Sequence, residues 1–406
     1  MIIVILILCF ICFILLCVLF HGKDKQCKIN CKQCKKICKN KNYTEQYTEQ
    51  YSDKNVMNTT QNPLSDEISM KILQTTQDNN DVLLTFLRDA LENNKNVLKA
   101  NRVINIVPST LDFRSKFYRN NISLLCCNLI LLSYDISKIS YQRDTKPVLD
   151  SLNNNFNRLG VLPRADIKKI LVYTCISNFA KYNSYGGYII EYTSPAPDNI
   201  KSAFIVLRGT SFLCELYIDA LQLLVKPMWT TNANVSVHTG FNNAYSVYSN
   251  VDVPTLRDQI RSYLDTKPTI QNLYITGHSL GASLCSIMMA DLAINYPSIR
   301  LISKCYAVAT PYTGNSAFVN LITTTSSRIT PPPITPTYTG FFNIGNISDP
   351  AFIFGLPFYQ RIPVQLFCFS EIAFNPHSVA LYMRNIIRNT QWENCAQTTR
   401  SCGLTC

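Results

Sequence analysis

At 406 residues with 47% hydrophobic content, the chain is long enough for one large domain with appendages and too apolar to be disordered throughout. Its formal net charge of +12 is unevenly spread: between Lys23 and Lys41 eight lysines stand against one acid, Asp24, so this short stretch alone holds +7. No aromatic residue interleaves with those lysines, which argues against a stacking groove for nucleic acid and leaves no nucleic-acid partner in the reading.

Residues Ile2 to Phe20 are an uninterrupted apolar run, about the length that crosses a bilayer as one helix. A cleaved signal peptide is the rival reading. No Lys or Arg precedes the run and no small-x-small site follows it, so an uncleaved transmembrane anchor over 1–20 is favoured. The lysine run beside it reads as a membrane-side anchor that binds anionic headgroups and, by the positive-inside rule, keeps the rest of the chain on the cytoplasmic side; a solvated tether is the alternative. Cys27, Cys31, Cys34 and Cys38 lie within this run at spacings of four, three and four, one face of a helix, which suits self-association, acylation or metal capture. They lack the paired Cys-x-x-Cys knuckles of a zinc site. Seventeen cysteines in all are many for a reducing compartment, so the compartment stays open.

A Lys/Cys-rich and polar linker occupies 21–63, and a helical connector is expected over 64–109 from apolar positions such as Ile68, Ile72, Leu83, Leu87 and Leu91. The main domain is placed at 110–390, with a tail at 391–406 containing Cys395, Cys402 and Cys406. Ser123 to Ser137 reads as an apolar helix and Ile167 to Phe179 as another. Tyr188 to Tyr192 and Ala203 to Leu207 form an expected hairpin, Val235 to His238 a strand, Phe241 to Leu264 one long helix, and Tyr306 to Ala309 a further strand. Between Thr323 and Tyr338 a Thr/Pro-rich insertion can be neither helix nor central strand and should loop over the surface. Five Asn-x-Ser/Thr sequons occur, of which the one at Asn346 is an implausible glycan site because Asp349 lies three residues on.

The chain is organised around Asn272 to Pro297. A short apolar strand (Leu273, Tyr274, Ile275) runs into Gly277, His278, Ser279, Leu280, Gly281 and then an apolar helix expected to end near Pro297. Gly-x-Ser-x-Gly between strand and helix is a nucleophile elbow, a turn too tight for side chains beside the serine, whose hydroxyl it presents above the sheet edge. Such an elbow takes its partners in the order Ser, Asp or Glu, His. Of the four histidines only His377 follows Ser279. Of the intervening acids, Asp291 lies down the elbow helix and away from the site, and Glu371 is too close to His377 in sequence. Asp349 remains, before Pro350 in a loop suited to the end of a late strand.

The elbow and its flanks resemble the fungal-type (class 3) lipase family. Phe204 to Thr210 is similar to that family's strand ending in Arg-Gly-Ser or Arg-Gly-Thr, Val237 to Phe241 to its Val-His-x-Gly-Phe segment, Ala309 to Asn315 to its Gly-x-Pro-x-x-Gly-Asn loop, and Asp349 with Pro350 to its Asp-Pro. Two positions depart: Ala309 replaces the usual glycine, and Leu216 stands where many lid segments carry tryptophan. The resemblance implies an α/β-hydrolase fold, a Ser279, Asp349, His377 triad, and an oxyanion hole from Thr210 and the backbone of Leu280, with no metal or organic cofactor. It also implies a lipid esterase acting on acylglycerol or glycerophospholipid esters, of the triacylglycerol lipase or phospholipase A1 type; the apolar run at 2–20 is what adds membrane anchoring, and the composition together with that tether suits a viral envelope as well as a cell membrane. The alternative is an inert attachment protein that keeps the fold without turnover. Ser211 to Leu224, with Phe212, Leu213, Leu216, Leu221 and Leu223 apolar and Cys214, Glu215 and Asp219 forming a polar side, is expected to be an amphipathic lid.

Overall fold

In the computed structural model of the chain, the described residues are 111–392, apart from short internal stretches of which the longest is 325–339, together with 402 and 403. All of them lie within the unit Thr76–Cys406. The expected anchor, lysine run, cysteine stripe, linker and connector, and most of the Thr/Pro-rich insertion, fall outside the described residues.

Helix α1 (Asn120–Ser137) is apolar on nearly every side and correspondingly buried. Helix α2 (Lys146–Leu159) leads to three strands, β1 (Asp166–Ser177), β2 (Ala180–Thr193) and β3 (Lys201–Leu207), paired antiparallel in succession. A two-residue pair, β4 (Leu224–Val225) and β5 (Val237–His238), precedes helices α3 (Thr239–Ser246) and α4 (Leu256–Leu264). Then come β6 (Asn272–His278), α5 (Leu280–Asn295), α6 (Pro297–Leu301) and β7 (Ser303–Val308). The last elements are α7 (Ser316–Thr324), β8 (Phe341–Asn346), α8 (Pro350–Ile353), β9 (Leu366–Phe369), α9 (Val379–Arg388) and β10 (Cys402–Gly403).

One sheet carries the order β1-β2-β3-β6-β7-β8-β9-β10, antiparallel over its first three strands and parallel from β3 onward. Its central strands are apolar on both faces because helices cover both. On β6 and β7 the alternation is strict. Tyr274, Tyr306 and Val308 pack with α1 and α9, whereas Leu273, Ile275, Cys305 and Ala307 pack with α3, α4, α5 and α7. Each fully buried aliphatic or aromatic side chain of this kind contributes roughly 1.5–3 kcal/mol.

Two expected helices are corrected. Ile167 to Phe179 is not a helix, since 166–177 form β1. Its Ile167, Ile170, Val172, Tyr173, Thr174 and Ile176 are β-branched or aromatic and suit a pleated surface with two faces, and β2 supplies the partner that a short apolar run cannot announce by itself. Phe241 to Leu264 is not one helix but α3 and α4. Asn250 to Val253 closes a turn, Pro254 cannot continue a helix, and the Thr255 hydroxyl caps the next one by accepting from the Asp258 N–H at 3.1 Å. The elbow helix ends as its sequence implies, at Asn295, and Pro297 sits at the start of α6.

Candidate active site

The turn between β6 and α5 places Ser279 at φ +56° and ψ −123°, a conformation rare for a side-chain-bearing residue. Neighbouring glycines make it sterically feasible. A Cβ on Gly277 would lie 2.5 Å from the carbonyl carbon of Gly281, and one on Gly281 would lie 2.4 Å from the Leu207 carbonyl oxygen. The Ser279 N–H donates to the Val308 carbonyl at 3.0 Å, tying the elbow to the end of β7.

His377 lies just before α9, Asp349 just past the end of β8, and both reach the elbow. The two ring nitrogens of His377 stand 2.8 Å from Ser279 Oγ (Nε2) and 2.7 Å from Asp349 Oδ2 (Nδ1). Asp349 is fully buried, and its carboxylate takes two further bonds: Tyr382 Oη donates to Oδ2 at 2.7 Å and the Ala351 N–H to Oδ1 at 2.9 Å. The His377 ring is 24% exposed, open to an approaching substrate. Burial pushes its pKa down, but the Asp349 charge and hydrogen bond, aided by the charge of Asp219, more than offset this and raise it above 6.5. Asp291 is as distant from the chemistry as its position down the helix implies. It is held by Arg257 at 2.7 and 3.0 Å and by the Tyr245 hydroxyl at 2.9 Å.

Leu280 opens α5, where a backbone N–H has no carbonyl a turn earlier to bond. Thr210 follows β3, whose last residue Leu207 is in register with Gly277 of the elbow. The Thr210 hydroxyl donates to Asp219 Oδ2 at 2.7 Å. Burial raises the Asp219 carboxyl to about 7, the Thr210 hydrogen bond opposing it.

The expected polar side of the 211–224 segment is corrected. Glu215 does not face water but is fully buried on Arg208, with both carboxylate oxygens 2.7 Å from the guanidinium and further bonds from Ser184 Oγ and the Ser211 N–H. Asp219 turns inward to Thr210. Among the described residues of the segment, Phe212, Leu221 and Leu223 are the exposed apolar side chains, at 39%, 40% and 55%, with Gln222 exposed between the last two. Leu213, Cys214, Leu216 and Tyr217 lie outside the described residues.

Sequence reasoning missed Tyr134, His278, Tyr382 and Asn346, whose hydrogen bonds reach Gly209, the His377 and Pro376 carbonyls and the Asp349 carboxylate. His278 was set aside because it precedes the serine; nothing in a lone tyrosine on an apolar helix marks it. Asn346 is buried, its amide donating to the Glu371 and Pro376 carbonyls at 3.1 and 3.3 Å, so its sequon is inaccessible to a glycan. Cys175 and Cys368 are disulfide-bonded, whereas Cys126, Cys127, Cys285 and Cys305 are free and buried.

Residues 204–333 match the family model described as lipase (class 3). The chain resembles the class 3 lipases. The matched stretch contains Thr210, Ser279 and Leu280, while Asp349 and His377 lie beyond it, so their place beside the serine comes from the fold. The family is one of ester hydrolases, which supports a lipase-type hydrolase. Among solved structures, the lipase–propeptide complex of Rhizomucor miehei is similar at 17% identity over 62% of this chain and 67% of that chain, with a TM-score of 0.41. A protein of Penicillium cyclopium is similar at 20% identity over 46% and 60%, with a TM-score of 0.32. The mono- and diacylglycerol lipase of Aspergillus oryzae is similar at 17% identity over 60% and 78%, with a TM-score of 0.40. The chain thus spans about two thirds of the length of the first and less of the second.

Proposed function

We propose that this class 3 lipase-like chain is a serine lipid esterase, tethered to a membrane by Ile2 to Phe20, that hydrolyses acylglycerol or glycerophospholipid esters through an acyl-enzyme. The observation that carries the reading is the bridge of His377 between Ser279 Oγ and Asp349 Oδ2, at 2.8 and 2.7 Å.

In this reading His377 Nε2 takes the hydroxyl proton as Ser279 Oγ attacks the ester carbonyl. The imidazolium is held by Asp349, and the tetrahedral oxyanion is met by the backbone N–H groups of Leu280 and Thr210. Collapse expels the alcohol, which takes the proton from His377, and leaves the acyl group on Ser279. Water, activated by the same imidazole, then releases the fatty acid. The neutral imidazole is the working base, and the carboxylate that raises its pKa also strengthens it.

The test incubates the full chain in mixed micelles of phospholipids and acylglycerols and identifies the esters released. Fatty acid release that is lost in Ser279→Ala supports the reading, and the lipid consumed names the subclass. Release of no fatty acid by the folded wild-type chain sinks it and favours the attachment protein. Sidedness follows from protease protection in sealed vesicles. Cytoplasmic exposure agrees with the lysine run, and lumenal protection agrees with the disulfides of Cys175 and Cys368.

A further inference from the structure

His278 lies inside the elbow motif, is 3% exposed, and uses both ring nitrogens, yet has no role in the chemistry above. Its Nε2 stands 2.8 Å from the backbone carbonyl oxygen of His377, and its Nδ1 2.8 Å from Tyr134 Oη on α1. The same tyrosine oxygen accepts the Gly209 N–H at 3.0 Å, from the residue immediately before Thr210. We propose that Tyr134 and His278 are positioning residues for ester hydrolysis, a hydrogen-bond chain from Gly209 N–H to the His377 carbonyl that holds the general base and the oxyanion strand in one frame. The inference rests on the triad reading above.

The direction of every bond follows from donor and acceptor inventories. The His377 carbonyl can only accept, so His278 carries its proton on Nε2 and donates it there, which leaves Nδ1 bare. Tyr134 Oη therefore spends its one proton on Nδ1 and uses a lone pair to accept the Gly209 N–H. The opposite tautomer would set a bare Nε2 against a carbonyl oxygen at hydrogen-bond distance. Burial, with the nearby His377, drives the His278 pKa well below 6.5 and keeps the ring neutral. Neutrality matters because the two imidazole rings are 4.6 Å apart, and His377 must become a cation during each acyl transfer.

Packing leaves little slack in this chain. A Cβ on Gly209 would meet Tyr134 Oη at 2.4 Å and Ser279 Cβ at 2.9 Å, so tyrosine, oxyanion strand and elbow close on one point. The His377 backbone is thereby held from the elbow side while the Asn346 amide holds the adjacent Pro376 carbonyl. A displacement of about 1 Å at a reacting group can cost on the order of 100-fold in rate, which sets the scale of the expected effect.

The experiment measures kcat and KM on a soluble short-chain nitrophenyl ester, with thermal midpoints, for the full chain and four variants. In His278→Leu, kcat should fall about 100-fold with KM within about twofold, because the change acts on the placement of His377 and not on ester binding. His278→Gln, which can return an amide N–H towards the His377 carbonyl, should recover most of that loss. Tyr134→Phe should lower kcat by a smaller factor, and Tyr134→Phe/His278→Leu should be no worse than His278→Leu alone, since both act through one chain. Unchanged kcat in His278→Leu, equal losses in Leu and Gln, or multiplicative losses in the double variant would overturn the proposal. A separate readout applies even if the wild-type chain hydrolyses no ester and Ser279 resists organophosphate labelling, the outcome that defeats the triad reading. Ring nitrogen NMR of the four-histidine chain should find His278 protonated at Nε2 and bare at Nδ1, and the reverse tautomer overturns the relay by itself.

Discussion

The elbow and the segment from Arg208 to Leu224 both border Ser279, yet they are held by different physics. Between Gly277 and Ala282 the conformation follows from residue type: small neighbours permit the positive φ at Ser279, and the strand before and helix after it are strongly apolar. Between Arg208 and Leu224 it follows from partners elsewhere in the fold. Arg208 reaches back to the Tyr185 carbonyl and Ser184 Oγ of β2 and forward to Glu215, and Glu215 in turn fixes the Ser211 N–H beside Thr210. The elbow is a local solution, whereas the Thr210 side is a network whose members lie up to 31 positions apart in sequence.

The sharpest break of this comparison is chemical. Ser279→Ala should reduce kcat on the order of 10⁶-fold, as loss of a triad nucleophile does, while the thermal midpoint stays where it was. Residual turnover above about a thousandth of wild type would remove Ser279 from its role.

A second break falls on the network and appears in stability. Arg208→Met leaves the Glu215 carboxylate buried and uncompensated and should cost about 3–5 kcal/mol in denaturant unfolding. Arg208→Met/Glu215→Leu should recover much of that, since a well-packed apolar pair can replace a buried ion pair. If the single variant unfolds like wild type, the segment is not held as described.

The pH profile sharpens the comparison further. His377 must be neutral to act as base and its pKa is raised, so kcat/KM should rise with a midpoint above 6.5. Asp219→Asn removes one of the charges that raise it and should move that midpoint to lower pH. Stability carries the same sign for both groups. The folded-state preference for charged His377 is fully present below the unfolded value of 6.5 and is lost as pH rises through the raised folded value. Asp219 keeps its proton to about 7 when folded against 3.8 in its ordinary state, so stability falls as pH rises across that window, and the Asn variant should flatten this part of the slope. An unmoved midpoint in Asp219→Asn would separate Asp219 from the histidine.

The smallest effect concerns Ala309, which adopts φ +56° where the similar family has glycine. Left-handed backbone costs an alanine roughly 1–2 kcal/mol, and glycine gives back roughly 0.5–1 kcal/mol in unfolded-chain entropy. Ala309→Gly should therefore stabilise the domain by up to about 1 kcal/mol, read as a raised denaturant midpoint. Destabilisation would mean the positive φ is not kept in solution.

Much of the site was legible because its elements are either locally encoded or forced by scarcity. The elbow is a contiguous pattern, and with four histidines in the chain only His377 could follow Ser279 in the required order. Asp349 was reachable by the same elimination. The strand-or-helix choice for 166–177 was not, since an apolar run of that length fits a helix in isolation and became β1 only by pairing with β2 along its length. Nor could the single helix expected over 241–264 be divided without weighing Pro254 and the Thr255 cap against the apolar positions on either side.

By itself the sequence determined the strand–turn–helix around Ser279, the apolar runs of the central strands and the order of the triad, because these depend on residue type and spacing within a few positions. Only the tertiary structure decided that Glu215 points inward onto Arg208, that Asp219 faces Thr210, and that Tyr134 and His278 bond each other while Tyr382 donates to Asp349. Those assignments depend on which donors and acceptors the folded path brings together with water excluded, whether 7 positions apart as in Arg208 and Glu215 or 144 apart as in Tyr134 of α1 and His278 of the elbow. There every buried polar group must find a partner, and the one it finds is set by distance in space rather than in the chain.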